Sequence, residues 1–141
     1  MKNVKSVFLV EDDVDDTEFF IHVLNEMDNV TLFGVAKNGV EALQILERAT
    51  ELPDFIFTDL HMPVMNGIDF LIRKNKDDRM KRIPAVIYSA DVSHLHITIR
   101  LGAKAFVAKT GNATELRDKL NEIINSDSEL LTPGFQIAAI V

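Results

Sequence analysis

The sequence predicts a doubly wound α/β domain with a five-stranded parallel sheet, and three observations lead to this prediction. Five short apolar runs, rich in Val, Ile and Phe, have the composition of buried strands. Segments with helical apolar spacing separate these runs, so strand and helix alternate along the chain. The 141 residues are 47% hydrophobic, which suits one domain with its own core. Such alternation is typical of parallel sheets with right-handed crossovers and helices on both faces.

The strands are predicted where apolar residues run almost without interruption. They cover residues 6–10, 30–36, 54–58, 85–89 and 105–108. A strand that helices cover on both faces has no solvent side, so its apolar run is continuous and does not alternate with polar residues.

Four helices are indicated by apolar side chains that recur every three or four residues and so form one buried stripe. The stripes are Phe20, Val23, Leu24 and Met27; Ala42, Ile45, Leu46 and Ala49; Ile68, Leu71 and Ile72; and Leu116, Leu120, Ile123 and Ile124. Asn38 has the place of an N-cap before the second helix, as does Asn112 or Thr114 before the last. Residues 94–99 alternate like a strand, but a crossover is needed there, so the fourth helix is predicted from topology.

Composition argues against several classes of function. The formal net charge of −7 disfavours direct binding to nucleic acid. Without cysteine, the chain has neither disulfides nor thiolate metal sites. No apolar stretch approaches the length that spans a membrane, so a cytoplasmic protein is expected. The basic stretch at 73–82 is interleaved with acids and is interpreted as a solvated helix end and loop without a function.

Polar residues follow four of the five predicted strands. Glu11 and Asp12 follow the first strand and Asp59 the third, while Ser89 ends the fourth and Lys109 follows the fifth. Parallel strands end at one edge of the sheet, and ligands bind there at the point where the strand order reverses. With a strand order of 2-1-3-4-5, the second strand lies at the edge of the sheet and these five groups share one crevice.

The three carboxylates of this crevice require a cation. At a separation of 4 Å, two of them repel by about 4 kcal/mol with an effective dielectric constant of about 20. Oxygen ligands in a shallow cleft suit a hydrated Mg²⁺ ion, for which Glu11 and Asp12 are the predicted ligands. Magnesium beside an Asp, with a Lys and a Ser nearby, suits phosphoryl transfer onto a carboxylate. Asp59 faces the crevice alone from the central strand and is the predicted nucleophile.

Four motifs carry a resemblance to a known family: "LVEDD" (9–13), "DFIFTDLHMPVMNG" (54–67), "IPAVIYSA" (83–90) and "GAKAFVAK" (102–109). Together they resemble the receiver domain of response regulators in two-component signalling, and the match runs from about residue 4 to residue 125. The resemblance implies a flavodoxin-like (βα)5 receiver fold, as in CheY-like proteins. It also implies a receiver domain at 1–125 and a C-terminal tail at 126–141 that is too short for an output domain.

The same resemblance implies a role for each metal-site residue. Asp59 would be the phosphoacceptor and also a metal ligand. Asp12 would bind Mg²⁺ directly and Glu11 through a water molecule. The backbone carbonyl of His61 would be a further ligand, and Mn²⁺ would be an acceptable substitute for Mg²⁺.

Further residues correspond to the switch and to the control of phosphoryl lifetime. Ser89 and Lys109 would bind the phosphoryl oxygens. Ser89 would move toward the phosphoryl group, and Phe106 would rotate inward into the space behind it. His61 and Asp91 occupy positions that resemble the modulators of phosphoryl lifetime in the family.

The resemblance also implies partners and a mode of action. A sensor histidine kinase would donate the phosphoryl group. A histidine phosphotransfer protein or another protein would bind the face of the fourth helix, fifth strand and fifth helix. Neither nucleic acid nor membrane is expected as a partner, and a homodimer is one option. The chain is expected to catalyse only its own phosphorylation and dephosphorylation, and so not to be an enzyme.

Two other functions are compatible with the same residues. A small Mg²⁺-dependent phosphohydrolase would use the same aspartyl-phosphate chemistry, but it would need a second acid where His61 stands. A pseudo-receiver would keep the fold as a binding module without turnover. The family usually has a proline with a cis bond after the lysine, whereas Thr110 follows Lys109 here, so the conformation of this bond is open.

Several polar residues are interpreted as having no part in the site. Asp13, Asp15, Asp16 and Glu18 are interpreted as acids that complement the dipole of the first helix. His94 and His96 are interpreted as solvated helix residues, because no third metal ligand has an evident spacing. The tail segment "FQIAAIV" is expected to pack on its own domain or on a second protomer.

Overall fold

Five parallel strands form the central sheet in the order β2-β1-β3-β4-β5, in a computed structural model that describes residues 3–126. The strands are β1 (Lys5–Val10), β2 (Val30–Ala36), β3 (Phe55–Thr58), β4 (Ala85–Ser89) and β5 (Ala105–Ala108). Every strand lies within one residue of its predicted bounds at each end. The predicted fold class and strand order are confirmed, and β3 is the central strand.

The helices are α1 (Val14–Asn25), α2 (Gly39–Arg48), α3 (Gly67–Asn75), α4 (Leu95–Arg100) and α5 (Ala113–Asn125), with short 3-10 turns at Met80–Arg82 and Val92–His94. The predicted caps are confirmed: the side chain of Asn38 accepts a hydrogen bond from Glu41 N at 2.9 Å, and that of Asn112 accepts one from Glu115 N at 3.0 Å. The fourth helix also forms, although it has only six residues. Topology therefore prevails over the strand-like alternation of this segment.

The core has one apolar layer on each face of the sheet. Along β1, Val7 and Leu9 pack against α1 and α5, whereas Phe8 and Val10 pack on the side of α2 and α3. This alternation follows from the two-residue period of a strand. Both faces of the sheet are thus covered, and its open edge at the strand ends is left for polar residues.

Two expectations concern the limits of the described chain. The tail beyond Ser126 lies outside the described residues, so its expected packing stays a prediction, as does the division into a receiver at 1–125 and a tail at 126–141. Within residues 3–126, no helix has the length and apolar character that a membrane crossing requires.

The burial of Lys74 shows that the basic stretch at 73–82 is not wholly solvated, which corrects its interpretation. This residue lies in the last turn of α3 and is only 2% exposed. Its Nζ donates a hydrogen bond to Asn75 Oδ1 at 3.0 Å. Burial lowers the pKa of Lys74 to about 8, and repulsion from Lys104 adds to this effect. Within the described residues, this buried ammonium has an amide and no carboxylate as its partner, which weakens the fold.

We expect Lys74→Met to stabilise the protein at neutral pH. In the folded wild type, Lys74 loses its proton near pH 8, whereas in the unfolded chain it keeps the proton until about pH 10.5. The unfolded state therefore binds more protons between these pH values, and the free energy of unfolding rises with pH by about 3 kcal/mol across this window. Lys74→Met should remove this rise.

Urea unfolding of both proteins between pH 7 and 10.5 measures the difference. Lys76→Met is the matched control, because Lys76 is the C-cap of the same helix and is exposed. This control should keep the pH dependence of the wild type. Parallel pH profiles for the wild type and Lys74→Met would contradict the prediction.

Candidate functional site

Backbone hydrogen bonds extend past the strand ends and fix the residues that follow them. Glu11 N donates to Ala36 O at 2.8 Å, and Asp59 N donates to Val10 O at 3.0 Å. Lys109 N donates to Ser89 O at 3.0 Å. Because the sheet ladder continues in this way, these side chains start from a rigid edge of the sheet and not from a flexible loop.

The three predicted carboxylates, Glu11, Asp12 and Asp59, come together at this edge of the sheet, which we call the acidic edge. Glu11, Asp12 and Asp59 each offer one oxygen, and these oxygens lie within 4.8 Å of one another. Glu11 is buried and Asp12 is exposed, so the group reaches from the interior to the solvent. Burial raises the pKa of the Glu11 carboxyl; the hydrogen bond from Lys109 lowers it, and repulsion from Asp59 raises it further. An all-oxygen group with a solvent-facing side fits a hydrated Mg²⁺ ion.

Lys109 contacts three carboxylates at once. Its Nζ lies 2.6 Å from Glu11 Oε1, 2.9 Å from Asp59 Oδ2 and 2.8 Å from Asp16 Oδ2. Although burial acts in the opposite direction, these hydrogen bonds raise the pKa of Lys109 above its usual range. The ammonium group therefore offsets part of the negative charge of these carboxylates. It also contacts Asp59, the predicted phosphoacceptor.

Asp16 belongs to this site, which corrects its interpretation as an acid that serves only the helix dipole. It lies in the first turn of α1, as expected, but its side chain turns toward Lys109. Asp13, by contrast, is the N-cap and accepts a hydrogen bond from Asp16 N at 2.8 Å. The sequence contained a signal for this contact. Because α1 starts shortly after β1, its first turn must lie beside the strand ends.

Asp59 presents a partly open carboxylate. Its Oδ1 accepts a hydrogen bond from Leu60 N at 2.7 Å, and its Oδ2 accepts one from Lys109. The side chain is 12% exposed, so a small phosphodonor can reach it. This combination of a fixed orientation and a partly exposed carboxylate suits a nucleophile.

Ser89 and Phe106 lie at and behind the site. The hydroxyl of Ser89 accepts a hydrogen bond from Asp91 N at 3.1 Å, which leaves its proton free for donation. Phe106 pairs with Ile87 across β4 and β5 and is fully buried in the core layer on the side of α3. The ring thus already faces inward, and the predicted rotation of Phe106 stays a prediction.

His61 and Asp91 are brought into direct contact. His61 Nε2 lies 2.7 Å from Asp91 Oδ2, which joins the loop after β3 to the loop after β4. Hydrogen bonds from Ser93 and then from His61 hold the pKa of Asp91 well below its usual range. His94 also reaches this carboxylate, at 3.3 Å, so its interpretation as a merely solvated residue is wrong. The roles of His61 and Asp91 in phosphoryl lifetime, and of the His61 carbonyl as a ligand, stay predictions.

The peptide bond after Lys109 is trans, as are all peptide bonds of the described residues. This answers the question that the sequence left open. Thr110 instead supports the start of α5: its Oγ1 donates to Glu115 Oε2 at 2.6 Å and accepts from Asn112 N at 3.3 Å.

Comparison with known families agrees with the fold and the acidic edge. Residues 7–121 match the family model of the response regulator receiver domain. The chain belongs to this receiver family. Receiver domains are signalling domains of two-component systems, bind Mg²⁺ in an acidic pocket, and interact with sensor kinases and downstream partners. The resemblance noted in the sequence is therefore confirmed.

Individual relatives place the receiver in proteins of different length. The chain is 40% identical over 102 residues to the sensory/regulatory protein RpfC of Xanthomonas campestris pv. campestris; the match covers 69% of this chain and 14% of RpfC. It is 31% identical over 90 residues to the chemotaxis protein CheY-3 of Vibrio cholerae, covering 62% of this chain and 68% of that protein.

A solved structure gives the same fold. The phosphorylated cyanobacterial phytochrome response regulator RcpA superimposes with a TM-score of 0.75 and 25% identity. The superposition covers 85% of this chain and 91% of that one.

Proposed function

We propose that this receiver accepts a phosphoryl group on Asp59 from a sensor histidine kinase and signals through contact with another protein. The observation that carries the proposal is Lys109 Nζ, which lies 2.9 Å from Asp59 Oδ2 beside two further carboxylates. Lys109 holds the partly exposed Asp59 carboxylate within a cluster of carboxylates. It is therefore suited to guide a phosphoryl group to Asp59.

The transfer can be written from the residues of this chain. An oxygen of the Asp59 carboxylate attacks the phosphorus atom of the donor, and the bond from phosphorus to the leaving oxygen breaks as the new bond forms. A bound magnesium ion would offset the charge of the carboxylates and of the phosphoryl oxygens. Lys109 Nζ can donate to one phosphoryl oxygen, and the free proton of Ser89 to another. Leu60 N, bonded to Asp59 Oδ1, holds the carboxylate in position.

Phosphorylation would bias the loop after β4. A phosphoryl group adds negative charge and strong acceptors next to Ser89. If Ser89 turns to donate to it, its present bond with Asp91 N must change, and the loop that leads into α4 moves with it. Such a change alters the surface that α4 presents to a partner.

Exposed apolar side chains lie on and just before α4, which is one element of the expected partner face. Ile97 on α4 is 48% exposed, and Val92 just before this helix is 52% exposed. These side chains lie next to the loop after β4, which phosphorylation would move. Their exposure supports binding of a kinase, a phosphotransfer protein or another target there. A homodimer stays one option within the proposal.

The two alternative functions find less support in the geometry. A phosphohydrolase would need a general acid where His61 stands, and this imidazole contacts Asp91. A pseudo-receiver would be favoured by a misplaced lysine, but Lys109 reaches Asp59 across a trans bond to Thr110. The first observation disfavours the phosphohydrolase and the second disfavours the pseudo-receiver, so both favour a receiver that is phosphorylated.

Incubation with acetyl phosphate and Mg²⁺, followed by intact mass measurement, tests the proposal. We expect a phosphate-sized mass gain in the wild type, as Asp59 displaces acetate from the donor. The gain should be absent in Asp59→Asn and in the wild type with EDTA. Asp78→Asn is the matched control: this carboxylate is 96% exposed and bonded to Lys81, so the variant should gain the same mass as the wild type.

Two results would contradict the proposal, once rapid hydrolysis of the product has been excluded. A rapidly hydrolysed product is excluded by titration with beryllofluoride, a stable analogue of the phosphoryl group. If Mg²⁺ binds but neither a mass gain nor beryllofluoride binding is found, the chain is a pseudo-receiver. A mass gain that persists in Asp59→Asn would place the acceptor elsewhere.

A further inference from the structure

A second group of metal-ligating side chains lies beside the acidic edge. It consists of His61 in the loop after β3 and of Asp91 and His94 in the loop and turn after β4. One ligand atom of each residue lies within 4.8 Å of the corresponding atoms of the other two. In contrast to the carboxylate group of the acidic edge, this group contains two imidazoles.

The ligand atoms converge on one point. His61 Nε2 lies 2.7 Å and His94 Nδ1 3.3 Å from the same oxygen, Asp91 Oδ2. The imidazole rings meet edge to face, with their centroids 5.8 Å apart. In a tetrahedral zinc site with bonds of about 2.0–2.1 Å, neighbouring ligand atoms are about 3.3 Å apart. The pair of His94 and Asp91 already has this spacing, and the pair of His61 and Asp91 would have to widen by about 0.6 Å as the ion replaces the proton between them.

The carboxylate is oriented in advance. Its other oxygen, Asp91 Oδ1, accepts hydrogen bonds from the backbone N–H and the hydroxyl of Ser93. These bonds leave Oδ2 to face the two imidazoles. Partners that fix a ligand in this way are a regular feature of metal sites in proteins. Side-chain exposures of 64% for His61, 35% for Asp91 and 42% for His94 leave the ligand atoms open to an incoming ion and to water.

We propose that His61, Asp91 and His94 form a binding site for a divalent transition-metal ion of the Zn²⁺ type. Two imidazole nitrogens and one carboxylate oxygen would occupy three positions, and water would occupy the fourth. The proposal goes beyond phosphorylation and does not depend on it. Imidazole ligands select Zn²⁺ over Mg²⁺, so this site and the acidic edge differ in the ions that they accept.

Metal binding at this position would restrain the loops after β3 and β4. A metal bound here would tie the loop that carries Asp59 to the segment that starts α4. Asp91 would be its ligand through the side chain, while the backbone N–H of Asp91 remains bonded to Ser89 Oγ. The ion would therefore hold both loops in the arrangement seen here.

Zn²⁺ titration of the unphosphorylated protein in excess Mg²⁺ tests the proposal, because excess Mg²⁺ keeps the acidic edge occupied. The chain has four histidines, so their ring signals in NMR spectra can be followed one by one. We expect one equivalent of Zn²⁺ to shift the signals of His61 and His94 and to leave those of His22 and His96 in place. Calorimetry under the same conditions gives stoichiometry and affinity.

Variants separate this site from ordinary histidine pairs. His61→Gln, His94→Gln and Asp91→Asn should each weaken Zn²⁺ binding by about tenfold or more. His22→Gln is the matched control, since His22 Nε2 lies 2.9 Å from Glu26 Oε1 in a pair that has no third ligand in the described chain. Equal shifts of all four histidines, equal affinity in all variants, or no binding at millimolar Zn²⁺ would each overturn the proposal.

Discussion

Replacing Lys109 by methionine is expected to lower the free energy of unfolding by about 3 kcal/mol or more. The ammonium group contacts Glu11, Asp16 and Asp59, and the side chain of Glu11 is only 1% exposed. Without this partner, buried carboxylates would face each other without compensation. Glu11 would then take up a proton, because burial already raises its pKa, and this uptake limits the loss.

Urea unfolding of the wild type and Lys109→Met measures the loss. Lys81→Met is the matched control, because Lys81 forms a 3.0 Å ion pair with Asp78 on the surface, where the side chains are 49% and 96% exposed. Breaking such an exposed pair costs about 0–1 kcal/mol. Similar losses in both variants would contradict the prediction.

A second substitution identifies the cause of the loss. In Lys109→Met combined with Glu11→Gln, the buried charge is absent together with its partner, so part of the stability should return. Asp16→Asn should restore less, since the Asp16 side chain is 43% exposed and water already screens it. If neither second change restores stability, the loss comes from packing of the lysine stem and not from charge.

The acidic edge was predictable because the sheet topology brings residues together that are distant in sequence. Glu11, Asp59 and Lys109 are far apart in sequence, but each follows a strand of one parallel sheet. Apolar runs locate the strand ends, and parallel strands all end at the same edge. Their polar neighbours must therefore meet, whatever the detailed path of the helices between them.

The other parts of the site depend on side-chain direction, for which sequence has no comparable rule. Asp16 has the same local pattern as any acid in a first helical turn, and only its contact with Lys109 distinguishes it. His61 and His94 come from two different loops, so no spacing in the sequence brings them together. Lys74 resembles a surface lysine in the last turn of a helix, although α3 turns it into the core.

Replacing Gly67 by alanine is expected to displace the loop that carries Asp59 and to lower the free energy of unfolding by about 3 kcal/mol. A Cβ atom at Gly67 would overlap with Asp59 O and would lie 3.0 Å from the Cα of Leu60. Both contacts are with backbone, so no side-chain rotation can relieve them. Gly67 N also donates to Leu60 O at 2.8 Å, and this bond closes the loop on itself. Urea unfolding measures the stability, and the rate of mass gain with acetyl phosphate reports on the position of Asp59.

Gly34→Ala distinguishes this close approach from the general effect of a glycine substitution. Gly34 lies in β2, and a Cβ atom there would meet only Phe8 Cε1 at 4.0 Å, an ordinary van der Waals contact. This control should have the stability of the wild type or gain about 0.4–1 kcal/mol, because alanine restricts the unfolded chain. It should also be phosphorylated at the wild-type rate. If Gly67→Ala matched Gly34→Ala in both stability and phosphorylation rate, the loop would be able to yield to a methyl group. Asp59 would then not be held by the close packing of Gly67 against its carbonyl.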